Sequence, residues 1–355
     1  MSERGERSTA PTPADAPVKC LVWDLDNTLW KGILLEDERV RLRPGIRAVV
    51  RTLDERGILQ SLASRNAPDQ ALARLRALGL AHFFLCPQIG WHAKDASIQA
   101  IAKRLNIGLD AVALIDDDPF ERDAVCAALP QVRVFDARGA ARIASLPAFT
   151  PRTITPDARR RRQMMASEFE RTRDEEEFPG PREEFLAGLG MRLRIGRVRP
   201  GDLDRAEELT VRTHQLNSTG YTFGREELER LRVSPDHWLL MAELDDRYGD
   251  YGKIGLALVE CGEDVWTIRL LLMSCRVMSR GVGTVLLQHI LSAASRAGVR
   301  LQAEFIQTQV NRQMYVTFRF AGFSEVGRRG EVLLLEADLA EPPVLPPYVQ
   351  VIEEP

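Results

Sequence analysis

The sequence predicts an α/β chain of two folded units, the first built on a parallel sheet and the second on a mixed one. Three observations carry this. Apolar runs alternate with amphipathic segments from Lys19 to about Phe135, composition breaks between Pro151 and Gly190, and from Met191 onward strand-like runs follow one another without a regular helical crossover. A length of 355 residues suits two cores. The expected divisions are a disordered tail over 1–17, a first domain over 18–150, a helical linker over 151–190, a second domain over 191–340 and a C-terminal tail over 341–355.

With 28% charged residues and a net charge of −3, nothing global attracts nucleic acid or an anionic membrane. Five cysteines, odd in number and without metal-type spacing, fit reduced thiols in a cytoplasm. No apolar run approaches membrane-span length, and the leader, rich in Pro, Ala and charge, has no signal-peptide core.

In the first half, strands are expected at 19–23, 58–63, 83–86, 111–115 and 132–135, and helices at 45–55, 68–78, 96–105 and 119–129. The run Cys20-Leu21-Val22-Trp23 is continuously apolar, as a strand buried on both faces must be. Ile98, Ile101, Ala102 and Leu105 fall at helical spacing, and Pro44, Pro68 and Pro119 stand where first-turn prolines belong. Strands alternating with helices give a parallel sheet with crossovers. In such sheets the chemistry gathers beyond the carboxyl ends of the strands.

Those ends carry a coherent set of side chains. Asp24 and Asp26 follow the first strand, with the Thr28 hydroxyl behind them. Ser64, Arg65 and Asn66 follow the second and suit phosphate oxygens. Lys94, a mobile point charge, precedes the helix at 96. Asp116, Asp117 and Asp118 follow the strand at 111–115, and carboxylates so close resist joint ionisation without a cation, so the set implies a metal. Taken singly, each has a plainer reading: a capped turn, a helix cap, a solvated lysine, an acidic helix N-terminus. Four together, in order along one sheet edge, favour attack on phosphorus by one carboxylate while its neighbour moves a proton.

The order DxDxT, Ser, Lys, DD is similar to the haloacid dehalogenase superfamily of phosphotransferases, whose domain is Rossmann-like. The resemblance implies Asp24 as nucleophile, Asp26 as general acid/base, Thr28 as support, and Ser64 and Lys94 as phosphate holders. It also implies Mg²⁺ on Asp24, the backbone carbonyl of Asp26, and Asp117 or its neighbour Asp116. Short connections leave space for no large cap, so the site should be open to a large partner. Val22 to Trp30, Gly57 to Asn66 and Ile115 to Pro119 resemble more narrowly the FkbH-like glyceryltransferase/phosphatases of polyketide pathways. His92-Ala93 before Lys94 departs from that pattern.

The linker carries runs of opposite sign, Arg159 to Arg162 and Asp174 to Glu177, and reads as a solvated helix, a break at Pro179-Gly180-Pro181 and a short helix. A basic face for an acidic carrier is the sharper alternative. Beyond it, strands are expected at 193–198, 237–244, 253–261, 265–274, 301–306 and 332–336, and helices at 203–213, 283–297 and 312–321. Gly281-Val282-Gly283 sits between strand and helix, where bare amides can receive an oxygen or simply make a tight turn.

That order of elements resembles the GNAT acyltransferase fold, which implies a pantetheine thioester beside the strand before the turn, with Gly281 and Gly283 receiving it. Met278 stands where an Arg or Gln usually opens the turn, and Phe318 where a Tyr usually protonates the thiolate. Both departures argue against ordinary acetyl transfer from coenzyme A and fit pantetheine on a carrier protein. Cys275 closes the strand instead, with Arg276 beside it, and Met273 to Val277 again resembles the FkbH-like proteins. A thiolate there can take an acyl group from an acyl phosphate and pass it to another thiol. Glu304, Thr308 and Asn311 match the family's pattern for substrate binding or loop support, and His214 is the candidate base. The remaining thiols Cys20, Cys86 and Cys126 read as core and Cys261 as strand interior.

The resemblance implies an enzyme that takes 1,3-bisphosphoglycerate, removes phosphate and loads a glyceryl group onto a holo acyl carrier protein. The alternative is a Mg²⁺-dependent small-molecule phosphatase whose second domain only binds.

Overall fold

A computed structural model describes residues 17–37, 39–340 and 345–354. The tail expected over 1–17 lies outside them except for Pro17. Two compact units divide between Ala166 and Ser167, inside the segment expected as a linker.

The first unit runs β1 (Cys20–Trp23), β2 (Trp30–Lys31), β3 (Arg41–Leu42), α1 (Ile46–Glu55), β4 (Leu59–Ser64), α2 (Pro68–Ala77), β5 (Gln88–Ile89), α3 (Lys94–Leu105), β6 (Val112–Asp116), α4 (Pro119–Ala128) and β7 (Arg133–Asp136). Its sheet has the order β5-β4-β1-β6-β7, every pairing parallel. The chain leaves β1 toward β4 and β5, then crosses back to β6 and β7. Strand order therefore reverses at β1, and the crevice for chemistry lies beyond Trp23. All four residues of β1 are buried. Among the described residues, only the short ribbon of β2 and β3 stands between β1 and α1, which leaves no large cap there.

One expected strand is corrected. Residues 83–86 do not form a strand: a 3₁₀ turn covers Ala81–Phe83, Phe84 makes a single bridge to Gln60, and pairing resumes at Gln88. Cys86 has φ 50°, a left-handed backbone that an extended strand cannot contain. The third helix also starts earlier than expected, so Lys94 is its first residue.

The second unit is entered through α5 (Pro156–Glu177) and contains α6 (Arg182–Gly188), β8 (Met191–Arg197), α7 (Leu203–Arg212), α8 (Arg225–Val233), β9 (His237–Asp246), β10 (Gly249–Cys261), β11 (Val265–Met273), α9 (Val282–Ala297), β12 (Arg300–Phe305), α10 (Arg312–Phe320), β13 (Phe323–Arg329), β14 (Val332–Ala337) and β15 (Val349–Glu353). The eight strands lie in the order β13-β14-β12-β11-β10-β9-β8-β15. Their pairings are antiparallel except β11 with β12 and β8 with β15. The residues expected as a C-terminal tail thus include an edge strand, while 341–344 lie outside the described residues.

The expected solvated helix is also corrected. Ala158, Met164, Met165 and Arg171 of α5 are buried. In the first unit, Arg160 lies 3.9 Å from Asp157, Arg161 donates to the carbonyl of Gly57 at 2.9 Å and Arg162 pairs with Asp54 at 2.7 Å, so the basic run is already engaged within the chain at these three residues. In the second unit, Arg171 grips Asp246 with two bonds, Nε to Oδ2 at 2.7 Å and Nη2 to Oδ1 at 2.9 Å. The Tyr251 hydroxyl donates to the same carboxylate at 3.0 Å, and the guanidinium lies 4.0 Å from the Tyr251 ring centre. Asp246→Ala should cost about 3 kcal/mol, because the buried Arg171 loses both bonds to Asp246 and keeps Glu168. A urea midpoint unchanged from wild type would show that this network is not a main tie.

Candidate active sites

The first site is built where β1, β4 and β6 end. Asp24 follows β1, Ser64 closes β4, Asp116 closes β6 and Lys94 opens α3, and all four are buried. Lys94 Nζ donates to Asp24 Oδ1 at 2.8 Å and also to Asp116 Oδ2. Asp24, Asp116 and Asp117 each place a carboxylate oxygen within 4.8 Å of the others. Thr28 donates to Asp117 at 3.1 Å and so holds its carboxylate in this group. Asp118 caps α4 by accepting from Phe120 N at 2.9 Å, the ordinary role for an acid at that position.

The electrostatics follow from burial. Desolvation raises the Asp24 carboxyl to about 7; Lys94 pulls it down, and Asp116 and Asp117 push it up. Asp117 is raised too, first by burial. For Lys94 burial alone would lower the value, but Asp24 and Asp116 outweigh it and the ammonium is raised. The carboxylates are thus short of positive charge beyond the one lysine.

Asp26 sits apart from this cluster. Its Oδ1 accepts from Trp30 Nε1 at 2.7 Å and from Leu34 N at 3.0 Å, and its Oδ2 from Asn66 Nδ2 at 2.8 Å. Asn66 therefore positions Asp26 rather than meeting phosphate with that amide. Arg65 turns to Glu121 at 2.8 Å with half its side chain exposed. The Trp30 indole reaches Asp26 across a turn, an i to i+4 contact that leaves no periodic signature in the sequence.

The second unit holds Cys275 at the start of a 3₁₀ turn, Cys275–Arg280, directly beyond β11. Arg276 Nε donates to Ser274 Oγ at 3.3 Å. Helix α9 begins only at Val282, so its N-terminus is a full turn away along the chain. Gly281 has φ 73°, and a side chain there would meet the Tyr348 hydroxyl at 2.9 Å. The glycine turn expected to receive pantetheine therefore faces the chain's own Tyr348. Arg280 is buried and holds Glu175 at 2.6 Å and Glu168 at 3.2 Å, so its charge is matched internally.

Strands β11 and β12 pair only over 265–268 and 300–303. Beyond that, the segment 216–218 borders β11: Ser218 N donates to Leu271 O at 2.9 Å and Met273 N to Leu216 O at 2.9 Å. Ile306 N bonds back to Ser218 O at 2.9 Å. Asn311, fully buried, donates to Asn217 O and Ile306 O and accepts from Thr308 N, so it ties this loop together. Glu304 pairs with Arg269 at 2.5 Å. His214, exposed, precedes this segment by two residues, and the antiparallel bridge from Asn217 to Leu272 runs it toward the Cys275 end of β11. Of the thiols expected in the core, Cys20 is buried, Cys86 is half-buried and Cys126 is exposed on α4, while Cys261, expected inside a strand, ends β10.

No family model matches the sequence, and no curated protein is similar to it. Among solved structures, the N-terminal part of BF1531 from Bacteroides fragilis, containing a phosphatase domain complexed with Mg, is 27% identical over 38% of this chain and 40% of its own, with a TM-score of 0.34. The match thus spans less than half of that chain. The ribosomal-protein-S18-alanine N-acetyltransferase of Escherichia coli is 15% identical over 42% of this chain and 95% of its own, with a TM-score of 0.35. The PaiA N-acetyltransferase of Thermoplasma acidophilum, in complex with coenzyme A, is 14% identical over 41% of this chain and 98% of its own, with a TM-score of 0.33.

Proposed function

We propose that the chain is a two-site enzyme, a Mg²⁺-dependent phosphatase joined to an acyltransferase. It takes 1,3-bisphosphoglycerate, loads the glyceryl unit through a Cys275 thioester onto the pantetheine thiol of an acyl carrier protein, and removes the remaining phosphate ester at Asp24. The observation that carries the reading is the buried Asp24, Lys94 and Asp116 cluster at the mouth of the central strand. A set of carboxylates with one lysine is an expensive arrangement to bury unless a further cation joins it.

The residues fit Mg²⁺. Oxygens of an octahedron with bonds near 2.1 Å stand roughly 3–4.2 Å apart, and the three carboxylate oxygens lie within 4.8 Å of one another. Asp24, Asp116 and Asp117 would hold the ion, which supplies charge neutralisation at the phosphoryl oxygens. Asp24 attacks phosphorus, and the ester bond breaks with its electron pair going to the leaving oxygen, which takes a proton from Asp26. Lys94 keeps Asp24 aimed and lends its charge to the transferring group. Asp26 Oδ2, with a single donor on it, retains a lone pair for the water that hydrolyses the aspartyl phosphate. Trp91 and Phe120, 71% and 73% exposed beside Lys94 and Asp117 in sequence, leave apolar surface for a large partner.

Because Asp24 holds its proton up to about pH 7, metal binding must displace it. Apparent Mg²⁺ affinity should then strengthen about tenfold per pH unit as pH rises toward 7 and level off above it. Calorimetric titrations with Mg²⁺ at several pH values check this. A flat profile would mean that Asp24 is not a ligand.

A small-molecule phosphatase with a purely binding second unit is the other reading. It is favoured by one observation, the segment 216–218 along the β11 edge where a pantetheine arm would pair. Incubation with 1,3-bisphosphoglycerate and a holo carrier separates the two. The proposal expects the carrier to gain mass, and a carrier that stays unmodified while phosphate is released supports the other reading.

A further inference from the structure

Asp117 belongs both to the carboxylate cluster and to the wall of an adjoining cleft of about 530 Å³. Four cations line that cleft: Lys31, Arg43, Arg122 and Arg138. They come from four parts of the first unit, the β2 strand, the loop after β3, helix α4 and the 3₁₀ turn after β7. Among the described residues, the one carboxylate on the wall besides Asp117 is Asp136.

The pairing inside the cleft is uneven. Arg122 donates to the carbonyls of Asp116 and Asp117 at 2.9 and 2.8 Å and reaches Asp136 at 3.2 Å. Arg138 binds the same Asp136 at 2.7 Å. Arg43 is fixed by the Asn27 carbonyl at 2.8 Å, which satisfies a donor without cancelling its charge. Lys31 is exposed at the rim. One carboxylate is thus shared between two arginines while two further cations face the same concavity. Like charges converging from separate elements raise the local potential and draw an anion, whereas cations on a convex face would be dispersed in solvent.

We propose that this cleft receives a second anionic group of the phosphatase substrate, lying on the leaving side of the scissile phosphate. The site then prefers phosphate esters whose alcohol portion carries a carboxylate or another phosphate over esters of neutral alcohols. The inference rests on the phosphatase reading above and names the substrate class of that site. The anion can be the carboxylate of a small phosphoacid or the phosphodiester of a carrier's pantetheine arm.

Steady-state hydrolysis of three substrates tests it: 3-phosphoglycerate, a phosphoglyceryl-loaded carrier and glycerol 3-phosphate. Wild type should favour one or both anionic substrates in kcat/KM over glycerol 3-phosphate. In the double variant Lys31→Ala, Arg138→Ala the preference should fall about tenfold, the size expected for losing charge-assisted contacts. Lys31→Arg should keep it. Both altered side chains are exposed, so the variant should melt with wild type. The anionic substrate whose preference collapses identifies the source of the anion. Hydrolysis with an unchanged preference overturns the subsite alone. No hydrolysis of any of the three by wild type overturns the phosphatase reading and the subsite with it.

Discussion

Asp24→Asn should stop removal of the phosphate ester, by roughly 10⁴-fold or more, while leaving acyl loading intact. The amide cannot attack phosphorus, so no aspartyl phosphate forms. Folding should not suffer. Asn resembles the protonated carboxyl that burial already favours, and Lys94 keeps Asp116 as partner. The variant should therefore melt no lower than wild type. Phosphate stoichiometry gives the clearest readout. Thiol attack on the acyl phosphate releases one phosphate and the Asp24 site a second, so wild type should release about two per glyceryl unit loaded and the variant about one.

The second large effect is expected at the other site. Cys275→Ala should lower carrier loading to the uncatalysed rate, roughly 10³-fold or more below wild type, because the acyl group loses its covalent station. Cys275 is only partly buried, and trimming it to Ala should change stability by about 1 kcal/mol or less. The Asp24 site should still hydrolyse 3-phosphoglycerate in this variant. The two substitutions should thus dissociate cleanly, each removing one chemistry and sparing the other. Loss of both activities in either variant would point to a folding defect or to a shared site.

How much of this was legible in the sequence depended on how locally it was written. Buried parallel strands announce themselves: the run from Cys20 to Trp23 gave β1, and the acids just past it followed from the rule about carboxyl ends. Helix α8 was missed because Leu228 is its one buried residue, too few for a helical period. Strand β13 was missed because all its residues after Phe323 are exposed, which erases alternation. The helix α5 looked solvated because its arginines are charged, yet Arg171 is buried against Asp246, a partner 75 residues away. Long-range pairing of that kind leaves no periodic trace.

The sites divide in the same way. Asp24, Lys94, Asp116 and Asp117 could be assembled from motif order, because each lies at or just past the end of a strand, or at the start of a helix, that the pattern places. The engagement of Asn66 with Asp26 could not, nor could the cluster of Lys31, Arg43, Arg122 and Arg138, which meet only once the sheet is wound. The same holds for the segment 216–218. Its polar and small residues look like an ordinary loop, and only the parting of β11 from β12 gives it an edge to border.

The most direct test is intact-protein mass spectrometry of a holo carrier after incubation with 1,3-bisphosphoglycerate and Mg²⁺. Wild type should leave glyceryl on the carrier, Asp24→Asn phosphoglyceryl, and Cys275→Ala an unmodified carrier. Glyceryl on the carrier from Asp24→Asn, or loading by Cys275→Ala at the wild-type rate, would contradict the two-site account.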